Sequence, residues 1–173
     1  MKKKKQYKLY NLVFPIWLLV WIPTWLWAFI IPFNYLIDRL VFTICSKKQN
    51  PELTQKFFRK HTWKLFLLGF AADFVGAIFL ILPEIISILI YGIESDVQPK
   101  FVTAVEFNAF SNIFALLYTI VAIALAGFLI FIFDRAVILK TKEFTKEQAK
   151  KIAFFMAVFT APYLYLLPAS ILI

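Results

Sequence analysis

The feature that most constrains this chain is a long apolar stretch near its start. Residues 11–45 carry only two charged side chains, Asp38 and Arg39, and contain Pro15, Pro23 and Pro32. One membrane crossing needs about 20 residues, so the stretch is too long for a single transmembrane helix. Each proline removes a backbone donor and disfavours a helical conformation of the preceding residue. We therefore predict that residues 11–45 form a re-entrant hairpin or two short helices.

The composition predicts an all-α integral membrane protein. Apolar residues make up 62% of the chain, more than a soluble domain of this size can bury. The net charge is +9, but the lysines and arginines lie at segment ends and form no continuous basic face. This placement favours anionic lipid headgroups as partners and argues against nucleic acid.

The apolar and charged segments alternate along the chain and predict a single membrane domain with three transmembrane helices after the hairpin. Asn50 and Pro51 are typical of a helix start, and Thr145 with Gln148 has the spacing of a capping box. The predicted segments are a basic N-terminus (1–10), the hairpin (11–45), a basic interfacial helix (46–64), transmembrane helices (65–91, 107–139 and 152–173), an outer loop (92–106) and a cytoplasmic loop (140–151).

The charge distribution predicts the orientation of the chain in the cell membrane. Residues 1–10, 46–64 and 140–151 are lysine-rich, whereas residues 92–106 are mainly acidic. The positive-inside rule assigns the lysine-rich segments to the cytoplasm, so the N-terminus is expected to be cytoplasmic. Residues 11–45 must then enter and leave on the same side.

Two similar dipeptides suggest charge pairing between helices. Asp38 and Arg39 precede a group of lysines, and so do Asp134 and Arg135. Adjacent helical residues do not face each other, so neither pair can readily neutralise itself. One hypothesis is that Asp38 meets Arg135 while Asp134 meets Arg39. The other is that all four side chains are solvated independently among the headgroups.

Asp73 is the strongest functional candidate in the sequence. It lies among small residues at three- and four-residue spacing, which allow helices to approach closely in lipid: Gly69, Ala72, Gly76 and Ala77. An acid about 12 Å into a crossing is costly to ionise without a partner or water. Asp73 is predicted to bind a cation, relay a proton or hydrogen-bond another helix; the alternative is a neutral or paired structural side chain.

Further polar residues are candidates for an ion or solute path. Glu84 follows Pro83, which is expected to free a backbone carbonyl near Phe79. Asn108 and Asn112 lie near the outer end of the next helix and are predicted either to line a vestibule or to cap a helix.

Few residues suit catalysis. His61 is the only histidine and Cys45 the only cysteine, so we predict no catalytic residues, no metal site and no cofactor. The headgroup contacts are assigned to cations of the basic segment: Lys56, Arg59, Lys60 and Lys64.

The leading functional hypothesis is a subunit of an oligomeric channel or transporter for an ion or small solute. Three crossings and a hairpin make a thin bundle, so a homo-oligomer or a larger membrane complex is expected. The alternative is a non-catalytic accessory, immunity or assembly subunit that packs through residues 69–77. A lipid-modifying enzyme acting through the two Asp-Arg dipeptides ranks last.

Overall fold

The computed structural model describes residues 27–92 and 99–169, and these residues are helical with no strands. The predicted N-terminal basic segment, the first part of the predicted hairpin, most of the outer loop and residues 170–173 lie outside the described residues. The described residues form five α-helices: α1 (Trp27–Gln49), α2 (Gln55–Tyr91), α3 (Lys100–Phe107), α4 (Ile113–Lys140) and α5 (Lys146–Thr160).

Three of these helices are long and apolar enough to cross a membrane: Ala28–Gln49, Gln55–Tyr91 and Ile113–Lys140. The prediction of an all-helical membrane protein is therefore confirmed. The set of long helices differs from the predicted set, however, because it includes a helix of the predicted hairpin region and does not include residues 152–173.

Helix α1 continues through Pro32 without a break. The lost proline N–H affects only the carbonyl of Ala28, which lies in the first turn and is solvent-accessible, so one missing bond does not stop the helix. The chain therefore does not turn at Pro32. Any turn of the predicted hairpin falls before Trp27, outside the described residues.

The basic segment 46–64 is not a separate surface helix, which corrects the prediction. Helix α2 is one helix of 37 residues that begins after Thr54, whose hydroxyl accepts a hydrogen bond from the N–H of Phe57 at 3.3 Å. The predicted start at Asn50 is wrong, because Asn50 instead follows the end of α1. Phe58 and Leu65 are buried against α1 and α4, so this part of α2 packs in the bundle while its cations point outward.

The outer connection is more structured than a loop. Helix α3 and a 3₁₀ turn at Ala109–Ser111 precede α4, which begins at Ile113 rather than at the predicted residue 107. Val102, Ala104 and Val105 of α3 are buried, so this short amphipathic helix covers the end of the bundle.

Helix α5 begins with the predicted capping box: Thr145 accepts from the N–H of Gln148, and the Gln148 side chain accepts from the N–H of Thr145. Residues 152–173, predicted as one crossing, do not form one continuous helix, because α5 ends at Thr160 after 15 residues. That length spans about 22 Å, less than the hydrocarbon core of about 30 Å. Pro162 ends the helix, and a 3₁₀ turn follows at Tyr163–Leu166.

The helices α1, α2, α4 and α5 form a ring in which each packs against two neighbours. Helices α2 and α4 make the most extensive contact, through buried Ala72, Gly76 and Ala77 of α2. A Cβ atom at Gly76 would lie 3.2 Å from Ala126 Cβ and 3.3 Å from the carbonyl oxygen of Ala122. The small residues thus allow the two backbones to approach closely.

One end of the bundle carries the two lysine-rich segments within the described residues. A core cluster there joins the C-terminal parts of α1 and α4 to the N-terminal parts of α2 and α5, through Phe42, Phe58, Ile138 and Ile152 among others. The cations assigned to lipid headgroups are all exposed at this end, which we call the basic end: Lys56, Arg59, Lys60 and Lys64.

Candidate functional site

A cavity of about 340 Å³ lies between α1, α2 and the segment where α5 ends. Asp38 of α1 and Asp73 of α2 are the charged residues that line it, and no lysine, arginine or histidine does so. The remaining lining is mostly aromatic and aliphatic. It comprises Phe33, Asn34, Ile37, Phe66, Gly69, Phe70, residues 159–165 and Leu167.

The two acids reach the cavity because helical geometry directs them there. Asp38 is only 8% exposed, and Gly69 of α2 leaves room for it, since a Cβ atom at Gly69 would lie 4.0 Å from Asp38 Oδ2. Asp73 lies four residues beyond Gly69 and therefore shares its helix face. Asp73 Oδ1 is buried and has no hydrogen-bond partner among the described residues.

A third acid, Asp134 of α4, lies behind this cavity. It is 1% exposed, and its Oδ1 has no partner in the described part of the chain. Asp38 is close enough to both Asp73 and Asp134 for electrostatic repulsion between the carboxyl groups. The three acids therefore form one group, contributed by three helices.

This acidic group lies well inside the apolar part of the bundle. Asp73 comes nine residues after Lys64, and Asp38 comes nine residues before Lys47. At 1.5 Å per residue, each lies about 13 Å from the cations of the basic end. Asp38 and Asp73 at this depth are costly to ionise together unless protons or cations neutralise them.

The predicted reciprocal charge pairs do not form. No salt bridge joins Asp38 to Arg135 or Asp134 to Arg39 within residues 27–92 and 99–169. Arg39 instead donates to the Gln55 side chain at 3.4 Å, and Arg135 is exposed. Adjacent residues point about 100° apart on a helix, so Asp38 and Asp134 are buried while Arg39 is half-exposed and Arg135 is exposed.

The end of α5 contributes backbone groups to the cavity. The last carbonyls of a helix have no partner within the helix and carry a partial negative charge. Here Tyr163 donates its hydroxyl to the Val158 carbonyl, and Tyr165 donates to the Asp73 carbonyl across to α2. Thr160 and Ala161, at the end of α5, line the cavity itself. The C-terminal end of α5 therefore forms part of the cavity wall.

Pro83 frees a carbonyl as expected, but a protein group binds it. The Tyr118 hydroxyl of α4 donates to the Phe79 carbonyl oxygen at 2.6 Å, and the two rings stack with their centroids 4.6 Å apart. The Phe79 carbonyl is therefore satisfied within the bundle rather than by a ligand. Tyr118 was not identified from the sequence, because a tyrosine in an apolar helix gives no signal of its partner.

The predicted path residues at the other end do not join the cavity. Asn112 accepts from the N–H groups of Phe114 and Ala115 and caps α4, while Asn108 caps the 3₁₀ turn before it. Glu84 does not line the cavity, although its Oε2 is buried without a partner among the described residues. Burial, with a smaller contribution from Glu84, raises the pKa of Glu106 from 4.5 to about 7.

Sequence reasoning missed the aromatic wall and the contribution of α5 to the site. With 21 phenylalanines in the chain, no single one signals a binding role. Pro162 was expected only to bend the final helix, yet it ends that helix and directs residues 163–165 towards Asp73. The sequence signal for this arrangement is Pro162 itself, a proline in the middle of an apolar segment.

Comparison of the chain with protein-family models, with curated proteins and with solved structures found no match in any of the three. The assignment of a function therefore depends on the geometry and chemistry of the cavity.

Proposed function

We propose that this protein is a small multipass membrane protein that forms a subunit of a channel or transporter for a cation or a small cationic solute. The observation that carries the proposal is the cavity lined by buried Asp38 and half-buried Asp73, with no basic side chain among its described lining residues. Asp73 Oδ1, buried without a hydrogen bond in the described residues, has the free lone pairs that a cation or proton would use.

The electrostatics favour a positively charged occupant. A carboxylate transferred out of water is strongly unfavourable unless a proton, a cation or donors compensate it. The C-terminus of α5 adds partial negative charge at the same place, so an anion is disfavoured.

The broken last helix supports a transport role over a purely structural one. Irregular backbone at membrane depth is tolerated where it is buried in protein or lines a polar cavity. The segment after Thr160 has this property, since it lines the cavity beside Asp73. Transporters commonly use such discontinuous helices, with helix C-termini turned towards cations.

The small-residue strip weakens the alternative of an accessory subunit. That alternative requires residues 69–77 to bind a partner, but Ala72, Gly76 and Ala77 are covered by α4 of the same chain. An accessory subunit would have to bind through other faces.

We further propose that the basic end faces the cytoplasm and contacts anionic lipids through its exposed lysines and arginines. Self-association would provide the additional helices that a complete path needs.

The test is cation flux through the full-length protein in proteoliposomes. With a negative-inside potential, we expect uptake of protons, rubidium or methylammonium that is reduced at least tenfold by Asp73→Asn and by Asp38→Asn. Glu106→Gln, which neutralises a half-buried acid outside the cavity, should retain the flux. Oligomer size measured on the same preparations serves as the folding control. Equal flux in all variants would refute the proposal.

A further inference from the structure

The walls of the cavity carry more information than its charge. Six aromatic rings surround the two acids, contributed by α1, α2 and the segment around Pro162: Phe33, Phe66, Phe70, Phe159, Tyr163 and Tyr165. An aromatic face attracts a cation through its quadrupole, most strongly when the cation is desolvated. Such rings cannot replace the oxygen ligands that a small inorganic cation needs.

The size of the cavity also argues against a single inorganic ion. A volume of about 340 Å³ is about ten times that of one water molecule, at about 30 Å³. No group of three histidine, cysteine or acidic side chains suited to hold a metal ion is present in the described part of the chain. The cavity instead fits an organic cation whose apolar substituents contact the rings while its charge faces Asp38 and Asp73.

The position of the cavity mouth indicates how such a molecule would enter. Phe33 is 63% exposed and Tyr163 is 51% exposed, and both line the cavity. The mouth therefore opens sideways between α1 and the turn after Pro162. The exposed residues beside it are apolar, as expected for a surface in contact with lipid: Phe29, Leu36, Leu164 and Leu167.

We infer that the cavity binds a hydrophobic substituted ammonium ion, such as a protonated amine or a quaternary ammonium, which enters from the bilayer. The two carboxyl groups neutralise its charge and the aromatic rings bind its substituents. This inference rests on the proposed cation-binding function and specifies its substrate class.

The test is binding of benzyltrimethylammonium to the full-length protein in phosphatidylglycerol nanodiscs, with neopentylbenzene as the uncharged isostere. We expect Asp38→Asn and Asp73→Asn each to weaken binding of the cation at least tenfold while leaving the isostere unchanged. Phe70→Leu, which nearly conserves volume but removes an aromatic ring, should weaken binding of the cation more than binding of the isostere. Glu106→Gln is the matched acid-to-amide control and should bind as the parent protein does.

The substrate-class inference and the proposed function fail in different ways. If benzyltrimethylammonium does not bind, or binds equally to the aspartate variants, the inferred class is wrong, and flux of protons or rubidium that depends on Asp73 would still support the proposed function. If the ammonium ion binds as expected but no cation crosses proteoliposomes, the site assignment stands and the transport function is refuted.

The ammonium group could come from a free amine or from a lipid headgroup. Repeating the binding in nanodiscs that contain half phosphatidylethanolamine separates these sources. Competition by this lipid, lost in Asp73→Asn, would assign the site to the headgroup ammonium. Unchanged affinity would assign it to a free amine. An equal loss of affinity in the parent protein and in Asp73→Asn would contradict binding at this cavity.

Discussion

The hydrogen bond between Tyr118 and the Phe79 carbonyl yields a quantitative prediction. Pro83 has no N–H to offer this carbonyl, so the Tyr118 hydroxyl, at 2.6 Å, is its donor. In Tyr118→Phe the ring stack can remain, and the change is limited to one lost hydrogen bond and one unsatisfied carbonyl. An unsatisfied buried acceptor costs about 1–3 kcal/mol, and measured interhelical hydrogen bonds in membranes average about 0.6 kcal/mol. We therefore expect Tyr118→Phe to lower the unfolding free energy by about 1 kcal/mol.

The same reasoning predicts that the loss depends on Pro83. In Pro83→Ala the new N–H can donate to the Phe79 carbonyl within α2, so the Tyr118 hydroxyl is no longer needed there. Adding Tyr118→Phe to that background should lower the unfolding free energy by only about 0.3 kcal/mol, less than the roughly 0.5–1.5 kcal/mol of a typical hydrogen bond, because no buried acceptor is left unsatisfied. The coupling energy between the two positions is therefore about 0.7 kcal/mol.

Reversible unfolding in mixed micelles of detergent and sodium dodecyl sulfate measures the four free energies of this double-mutant cycle. Tyr35→Phe is the control, since the Tyr35 hydroxyl makes no hydrogen bond within the described residues, and it should leave the unfolding free energy unchanged. The contrary result is that Tyr118→Phe lowers the unfolding free energy equally in the parent protein and in Pro83→Ala. That result would show that the Tyr118 hydroxyl does not replace the hydrogen bond that the proline removes.

Three further results are expected. Gly76→Leu should lower the unfolding free energy by about 1–3 kcal/mol through overpacking against α4, whereas Gly69→Ala, whose Cβ meets its nearest atom at 4.0 Å, should be tolerated in the same unfolding assay. Because burial raises the pKa of Glu106 to about 7, the folded state holds more protons than the unfolded state between about pH 4.5 and pH 7. The unfolding free energy should therefore fall as the pH rises through this range. If the unfolding free energy of Glu106→Gln falls with pH just as steeply, Glu106 is not the source of the pH dependence. Thr145→Ala should lower the unfolding free energy by about 1 kcal/mol and increase the rate of amide hydrogen exchange in the first turn of α5. An unchanged exchange rate would argue against the capping box.

Local signals in the sequence predicted local features well. Thr145 and Gln148 form their capping box because both partners lie within one turn. Pro83 frees its carbonyl because a missing N–H is a property of the residue itself. Asp73 was singled out from its apolar and small-residue neighbours, and the structure gives it a buried, unpartnered oxygen.

Helix limits and pairings were less predictable. Lysines at positions 56, 60 and 64 suggested a surface helix, but Phe58 and Leu65 on the opposite face are buried, so the helix continues into the bundle. The two Asp-Arg dipeptides suggested mutual pairing, but both acids are buried, Arg39 donates to Gln55 of α2 and Arg135 is exposed. Which charged residues meet depends on the rotation of each helix, and a dipeptide does not encode that rotation.

The amino-acid order alone determined that the chain is helical and suited to lipid, because hydropathy and segment length act locally on each stretch of backbone. The placement of the lysine-rich segments at one end also follows from their positions between apolar helices. Only the tertiary structure brought Asp38 to Asp73, ended the last helix beside them and surrounded them with aromatic rings. Those contacts join residues more than 30 and more than 80 positions apart, and they depend on how four helices pack, which no local pattern specifies.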